Sequence, residues 1–182
     1  MIASAGEWGL PPDSALETPV EGGKDMKTRE ISLVALYAAL YAAMVVVFAP
    51  LSFYALQFRV AGVLRPGITR MRLLALGYGL GVVVGNLLSP FAGAYELLFM
   101  PFMSVVAGIV GYEAAKRLGG GYFTCGVVIA VIIPLSVSWM LEQLFGLPML
   151  MTLPALLVSE QMINALGAML FKLVEGKLRW WE

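Results

Sequence analysis

YALQFRVAGVLRP, residues Tyr54–Pro66, is the stretch on which the fold depends. It is apolar except for Gln57, Arg59 and Arg65, and it is short against the ~20 residues that a membrane-spanning helix needs. The runs around it are of full spanning type. Ile31 to Pro50 precedes it; Leu73 to Leu88, Tyr95 to Ala115, Tyr122 to Leu144 and Leu150 to Val174 follow it. If the short stretch crosses, the chain has six spans. If it does not, every later loop changes side. The basic residues decide between these. Lys24, Lys27 and Arg29 precede the first span; Arg65, Arg70 and Arg72 follow the second; Lys116 and Arg117 follow the fourth; Lys172, Lys177 and Arg179 end the sixth. The alternate connections, near 50–53, 89–93 and 145–149, carry no Lys or Arg. Cytoplasmic loops hold the excess of Lys and Arg, so the pattern predicts six crossings with both termini cytoplasmic. The expected fold is an all-α integral membrane protein, a compact bundle of six transmembrane helices over residues 27–182. The second span is expected to be tilted or partly re-entrant at its outer end. Trp180 and Trp181 read as interfacial anchors after the sixth span.

Composition agrees. Of 182 residues, 60% are hydrophobic and 13% charged, against roughly 45–50% and about 25% in soluble domains. Twelve basic and twelve acidic residues cancel, so there is no basic field for nucleic acid. His is absent and Cys125 is the only cysteine. An internal disulfide is excluded, and neither a structural metal site nor His-based catalysis is expected. Residues 1–26 hold Pro11, Pro12 and Pro19 and no apolar run, which predicts a disordered tail. Met26 opens Met-Lys-Thr-Arg-Glu directly before the first span, and the codons of Glu21-Gly22-Gly23 can spell a purine-rich ribosome-binding tract. Met26 is therefore a candidate for the true start.

Two stripes of small residues recur at four-residue spacing. They are Ala35, Ala39 and Ala43 in the first span and Gly77, Gly81 and Gly85 in the third. Such stripes let helices approach closely, either within the bundle or against another membrane protein.

Arg59 is the one basic residue placed against the topology rule. With spans alternating in direction, the other intramembrane polar groups fall at its depth. Gln57 stands beside it; Asn86 and Ser89 close the third span; Glu96 opens the fourth, where a helix N-terminus favours a carboxylate. Glu142 and Gln143 end the fifth, and Glu160, Gln161 and Asn164 lie in the sixth. Tyr54, Phe58, Phe91, Tyr95, Trp139 and Phe145 are the aromatic neighbours. Ionisable groups inside a membrane are costly and usually functional. The set describes an outward-facing polar pocket for a small polar ligand, with Arg59, Gln57, Glu96, Glu160, Asn164, Asn86, Trp139 and Tyr54 as candidate binding residues. Arg59 could pair with Glu96, Glu142 or Glu160. No nucleophile–base pair or metal-ligand cluster stands out, and there is no P-loop, so active uptake would need a separate ATPase.

Ala49-Pro50-Leu51-Ser52-Phe53 followed by Gln57-Phe58-Arg59-Val60 resembles the QueT family. Gly85-Asn86-Leu87-Leu88-Ser89-Pro90 and Ser159 to Gly167 extend the likeness, which covers about Lys27 to Glu175. The resemblance implies a substrate-binding S component of an energy-coupling factor (ECF) transporter in the plasma membrane, taking up queuosine precursors, the 7-deazaguanines. It also implies that the Ala35, Ala39 and Ala43 face docks on a transmembrane coupling subunit served by two ATPase subunits, with no cofactor of its own. The family usually continues Gln-Phe-Arg-x-Ser-Glu-Ala-Leu. This chain has Ala61-Gly62-Val63-Leu64, with Gly62 in place of the acid. The departure keeps an S component for another small nutrient open as a rival. A membrane enzyme acting on an amphiphile and a ligand-free scaffold are the remaining ones.

Overall fold

The computed structural model describes residues 28–50 and 59–177, and these are helical throughout apart from short connections. Six helices are numbered α1–α6 in chain order: α1 Thr28–Val47, α2 Val60–Arg70, α3 Leu74–Asn86, α4 Met100–Leu118, α5 Tyr122–Phe145 and α6 Met149–Glu175. A π-helical segment, Tyr95–Phe99, leads directly into α4. Among the described residues, four helices are long and apolar enough to cross a membrane: Thr28–Val47, Tyr95–Leu118, Tyr122–Phe145 and Met149–Glu175. Their boundaries follow the apolar runs closely. At ~1.5 Å per residue, α3 is only about 20 Å long.

The expected second span takes an unexpected form. Val60–Arg70 is a 3-10 helix, and Gly62 N–H donates to the Arg59 carbonyl at 2.8 Å to open it. Runs of this length are uncommon because the hydrogen-bond geometry is poorer. Here the helix is enclosed by α4, α5 and α6, and Ala61, Gly62 and Leu64 to Ile68 are all buried. Less regular backbone is tolerated at membrane depth where protein, not lipid, surrounds it. Glycines make the enclosure possible. A Cβ on Gly167 of α6 would lie 2.2 Å from the Val63 carbonyl oxygen, and one on Gly67 would lie 2.6 Å from the Phe171 ring. The expected beginning of this span, Tyr54 to Phe58, lies outside the described residues.

The two small-residue stripes have different fates. Gly77, Gly81 and Gly85 form the α1–α3 seam, where a Cβ on Gly81 would lie 2.9 Å from the Ala38 carbonyl oxygen. Tyr37, Tyr41 and Val45 are the α1 side chains that fill it. Ala35, Ala39 and Ala43 point the other way and are exposed, in company with Leu36 and Leu40.

One end of the bundle collects charge. Arg70 bonds Glu175 and donates to Tyr122 Oη at 3.0 Å, tying the ends of α2 and α6 to the start of α5. Arg72, just before α3, stands 3.9 Å from Glu113 of α4. Gly119, Gly120 and Gly121 all have positive φ and make the turn that starts α5.

Arg65 corrects the sequence reading. Expected among the loop cations between α2 and α3, it is instead fully buried inside the bundle. The ladder of i, i+3 neighbours in a 3-10 helix explains the position. Arg59, Gly62, Arg65 and Ile68 share one row, with Arg65 about 12 Å further along than Arg59 at ~2 Å per residue.

Candidate functional site

The polar groups of the sequence meet in a cavity of about 550 Å³, counting the space at its open side. Arg59 lines it from the start of α2, Asn86 from the end of α3, Glu96 from the π segment and Glu160 from the middle of α6. The apolar wall is Ile133, Pro134, Val137 and Met140 of α5 with Leu156 of α6; Met100 also lines it, and exposed Phe91 stands on its rim. Pro134 continues α5 without ending it, and its missing N–H frees the Ala130 carbonyl from its helical donor.

Three of these polar residues are arranged by one another. Arg59 Nη2 donates to Asn86 Oδ1, and Asn86 Nδ2 donates to the Glu96 backbone carbonyl at 3.0 Å. The bond therefore leaves the Glu96 carboxylate untouched. Glu96 is 8% exposed, and its Oε2 is buried without a hydrogen-bond partner. A buried carboxylate oxygen without a donor is costly, which makes it a position for a ligand to satisfy. The π geometry of Tyr95–Phe99 fits this role, since single π turns concentrate at functional sites.

Glu160 is held from behind. Its Oε2 accepts from Arg65 Nη1 and, at 3.2 Å, from Asn164 Nδ2, which also donates to the Glu160 backbone carbonyl at 2.8 Å. Arg65 is anchored in turn by Tyr41 Oη at 3.3 Å from Nη2, and its guanidinium lies 5.3 Å from the centre of the Tyr78 ring. Gly62 is the reason it fits. A Cβ there would come within 3.0 Å of Arg65 Nη1 and 2.7 Å of Ile163 Cγ2. The glycine that departs from the family pattern thus lies under the guanidinium, and the carboxylate of the pair comes from α6.

Arg59, Asn86, Glu96 and Glu160 line one cavity, and Asn164 stands directly behind Glu160. Trp139 is not part of the lining. It sits half-exposed with its ring against Tyr95 and Phe99, at centroid distances of 5.9 and 5.0 Å. Glu142 is exposed at the end of α5. Gln57 and Tyr54 lie outside the described residues. Arg65, the buried partner of Glu160, is the residue of this network that sequence reasoning misses. Two signals point to it: a mid-helix Glu160 that needs a cation, and a glycine one 3-10 turn before the arginine. No group of three or more metal-ligating side chains occurs among the described residues.

The family model described as QueT transporter matches residues 31–176. The chain belongs to the QueT transporter family. As a QueT family member it is a multi-pass protein of the plasma membrane that handles a small-molecule substrate. No curated protein and no solved structure matches the chain. The matched region contains every residue that lines the cavity and both small-residue stripes.

Proposed function

We propose that this QueT family protein is the membrane-embedded S component of an ECF transporter. It captures a 7-deazaguanine queuosine precursor from outside for ATP-driven uptake by partner subunits. The observation that carries the reading is the cavity itself. A buried acid without a donor, a second acid with one oxygen engaged and an arginine line one space against an apolar wall. A deazaguanine offers the matching set: a flat apolar face, donors at N1–H and the 2-amino group, and a carbonyl acceptor. Arg59 meets the carbonyl, the acids take the donors, and the α5 wall covers the ring.

The exposed Ala35, Ala39 and Ala43 face of α1 is the docking surface for the transmembrane coupling subunit, with two ATPase subunits beneath it. Small side chains let helices pack closely in lipid. With ligand bound, the S component turns in the membrane on this partner and presents the cavity inward.

Ligand that binds only the folded state stabilises it by mass action, about 2.7 kcal/mol at a hundredfold excess over Kd. Thermal unfolding of the purified protein in detergent, with a panel of deazaguanines and vitamins, is the test. The melting temperature is expected to rise with a deazaguanine and with no vitamin. Stabilisation by a vitamin alone, or by nothing in the panel, overturns the ligand assignment.

A further inference from the structure

The two cavity acids are not equivalent, and the difference assigns them separate parts of the ligand. A carboxylate oxygen has two lone-pair directions. Both directions on Glu160 Oε2 are occupied, one by Arg65 Nη1 and one by Asn164 Nδ2. Glu160 therefore has one oxygen left for the cavity and cannot clamp a pair of parallel donors with both. Glu96 has the opposite condition. It is more than nine-tenths buried, its Oε2 has no donor, and the one hydrogen bond it receives from Asn86 ends on its backbone. Asn86 fixes the backbone of Glu96 while Arg59 holds the other end of the Asn86 amide. The carboxylate is thus placed by its main chain, and its Oε2 is left without a donor.

We propose that Glu96 is the specificity-determining residue: its carboxylate reads the adjacent pair of donors on the ligand, and Glu160 accepts a single donor elsewhere on the ring. This rests on the deazaguanine reading above. In that ligand class the pair is N1–H with the 2-amino group, and the single donor is the pyrrole N–H on the other rim. Arg65 and Asn164 act through Glu160 as positioning residues, keeping its second oxygen out of the exchange.

The test compares 7-deazaguanine with 7-deazahypoxanthine, which lacks the 2-amino group, by equilibrium binding to the purified full chain in detergent. A site built to accept a donor rejects the analogue without it. The wild-type protein is expected to prefer 7-deazaguanine by about ten- to a hundredfold. In Glu96→Gln that preference should fall below about threefold. In Glu160→Gln both probes should bind more weakly and the preference should survive. Glu160→Gln leaves Arg65 without its anion, so Glu160→Gln/Arg65→Met serves as its better-folded counterpart. Glu96→Asp, which keeps the charge but withdraws the carboxylate by one methylene, should reduce the preference without unfolding the protein. Preference lost with Glu160 and kept with Glu96 overturns the assignment and leaves the proposed function standing. Equal binding of both probes to the wild type overturns it too. If the wild type binds neither probe, the deazaguanine reading fails and the assignment with it.

Discussion

Arg65 and Glu160 form a buried charge pair: the arginine is fully buried, its Nη2 donates to Tyr41, and Asn164 donates to the carboxylate, while Arg65 Nε is left without a hydrogen-bond partner. Desolvating both ions is expensive, and breaking such a pair costs more than replacing it whole. Arg65→Met and Glu160→Met should each destabilise the protein by about 3–5 kcal/mol, while Arg65→Met/Glu160→Met should recover most of that loss. Thermal unfolding in detergent checks the three variants; additive losses in the double variant would show that the pair is not one unit. Gly62→Ala probes the same spot with one carbon. The added Cβ meets Ile163 at 2.7 Å and Arg65 at 3.0 Å, and the expected cost is about 1–3 kcal/mol. A melting temperature equal to wild type would mean that the guanidinium does not lie over Gly62. At this scale the sequence exposes Arg59, Glu96 and Glu160, because an ionisable residue in an apolar run needs a reason. It hides Arg65, because a cation next to Pro66 and ahead of Arg70 and Arg72 reads as part of a loop. Only the 3-10 winding of α2 carries Arg65 inside, and periodicity does not announce that winding.

The elements divide into a seam and a free face. On α3, the glycines at 77, 81 and 85 bring its backbone against α1, and on α1 the alanines at 35, 39 and 43 face away from that seam. Identical spacing in the sequence leaves both fates open, since four-residue periodicity marks a face but not what covers it. Contacts resolve the first stripe as packing. Gly81→Leu should therefore separate α1 from α3, lower the melting temperature and weaken ligand binding through Tyr41 and Arg65; the Ala38 carbonyl at 2.9 Å leaves no room for a Cβ. Ala39→Leu adds a side chain on an exposed face, and its effect on stability should stay within about 0.5 kcal/mol. The same variant should lose association with the coupling subunit in co-purification while binding ligand as before. Full association by Ala39→Leu and Ala43→Leu would remove the alanine face from the docking surface. Boundaries of the long helices are legible because their apolar runs end at Gly, Pro or charge. The second element is less so: its enclosure by α4, α5 and α6 lets an eleven-residue 3-10 helix persist, and that is a property of its neighbours.

Across the whole molecule the two ends differ in chemistry, and this difference predicts a direction in the membrane. Arg70, Tyr122 and Glu175 tie together the end at which α2 and α6 finish and α5 begins. Arg59, Asn86 and Glu96 gather where α2 begins and α3 finishes. Moving Arg65 inside the bundle leaves Arg70 and Arg72 to mark the connection after α2, so the alternation of basic and uncharged connections is kept. The positive-inside rule predicts that the Arg70 end faces the cytoplasm and the cavity faces outside. Thiol labelling tests this with little background, because the single native cysteine, Cys125, is buried. Gly93→Cys places a thiol in the exposed connection after α3, where a Cβ meets nothing closer than 3.6 Å. Leu118→Cys places one on the exposed last residue of α4, beside Lys116 and Arg117. In intact cells a membrane-impermeant maleimide should label Gly93→Cys and spare both Leu118→Cys and the unsubstituted protein. Permeabilising the cells should then expose Leu118→Cys. The reverse pattern would turn the cavity towards the cytoplasm and remove capture from outside. Labelling of both from one side would mean that α4 does not cross, and the length of Tyr95–Leu118 makes that the least compatible result with its 24 apolar-rich residues.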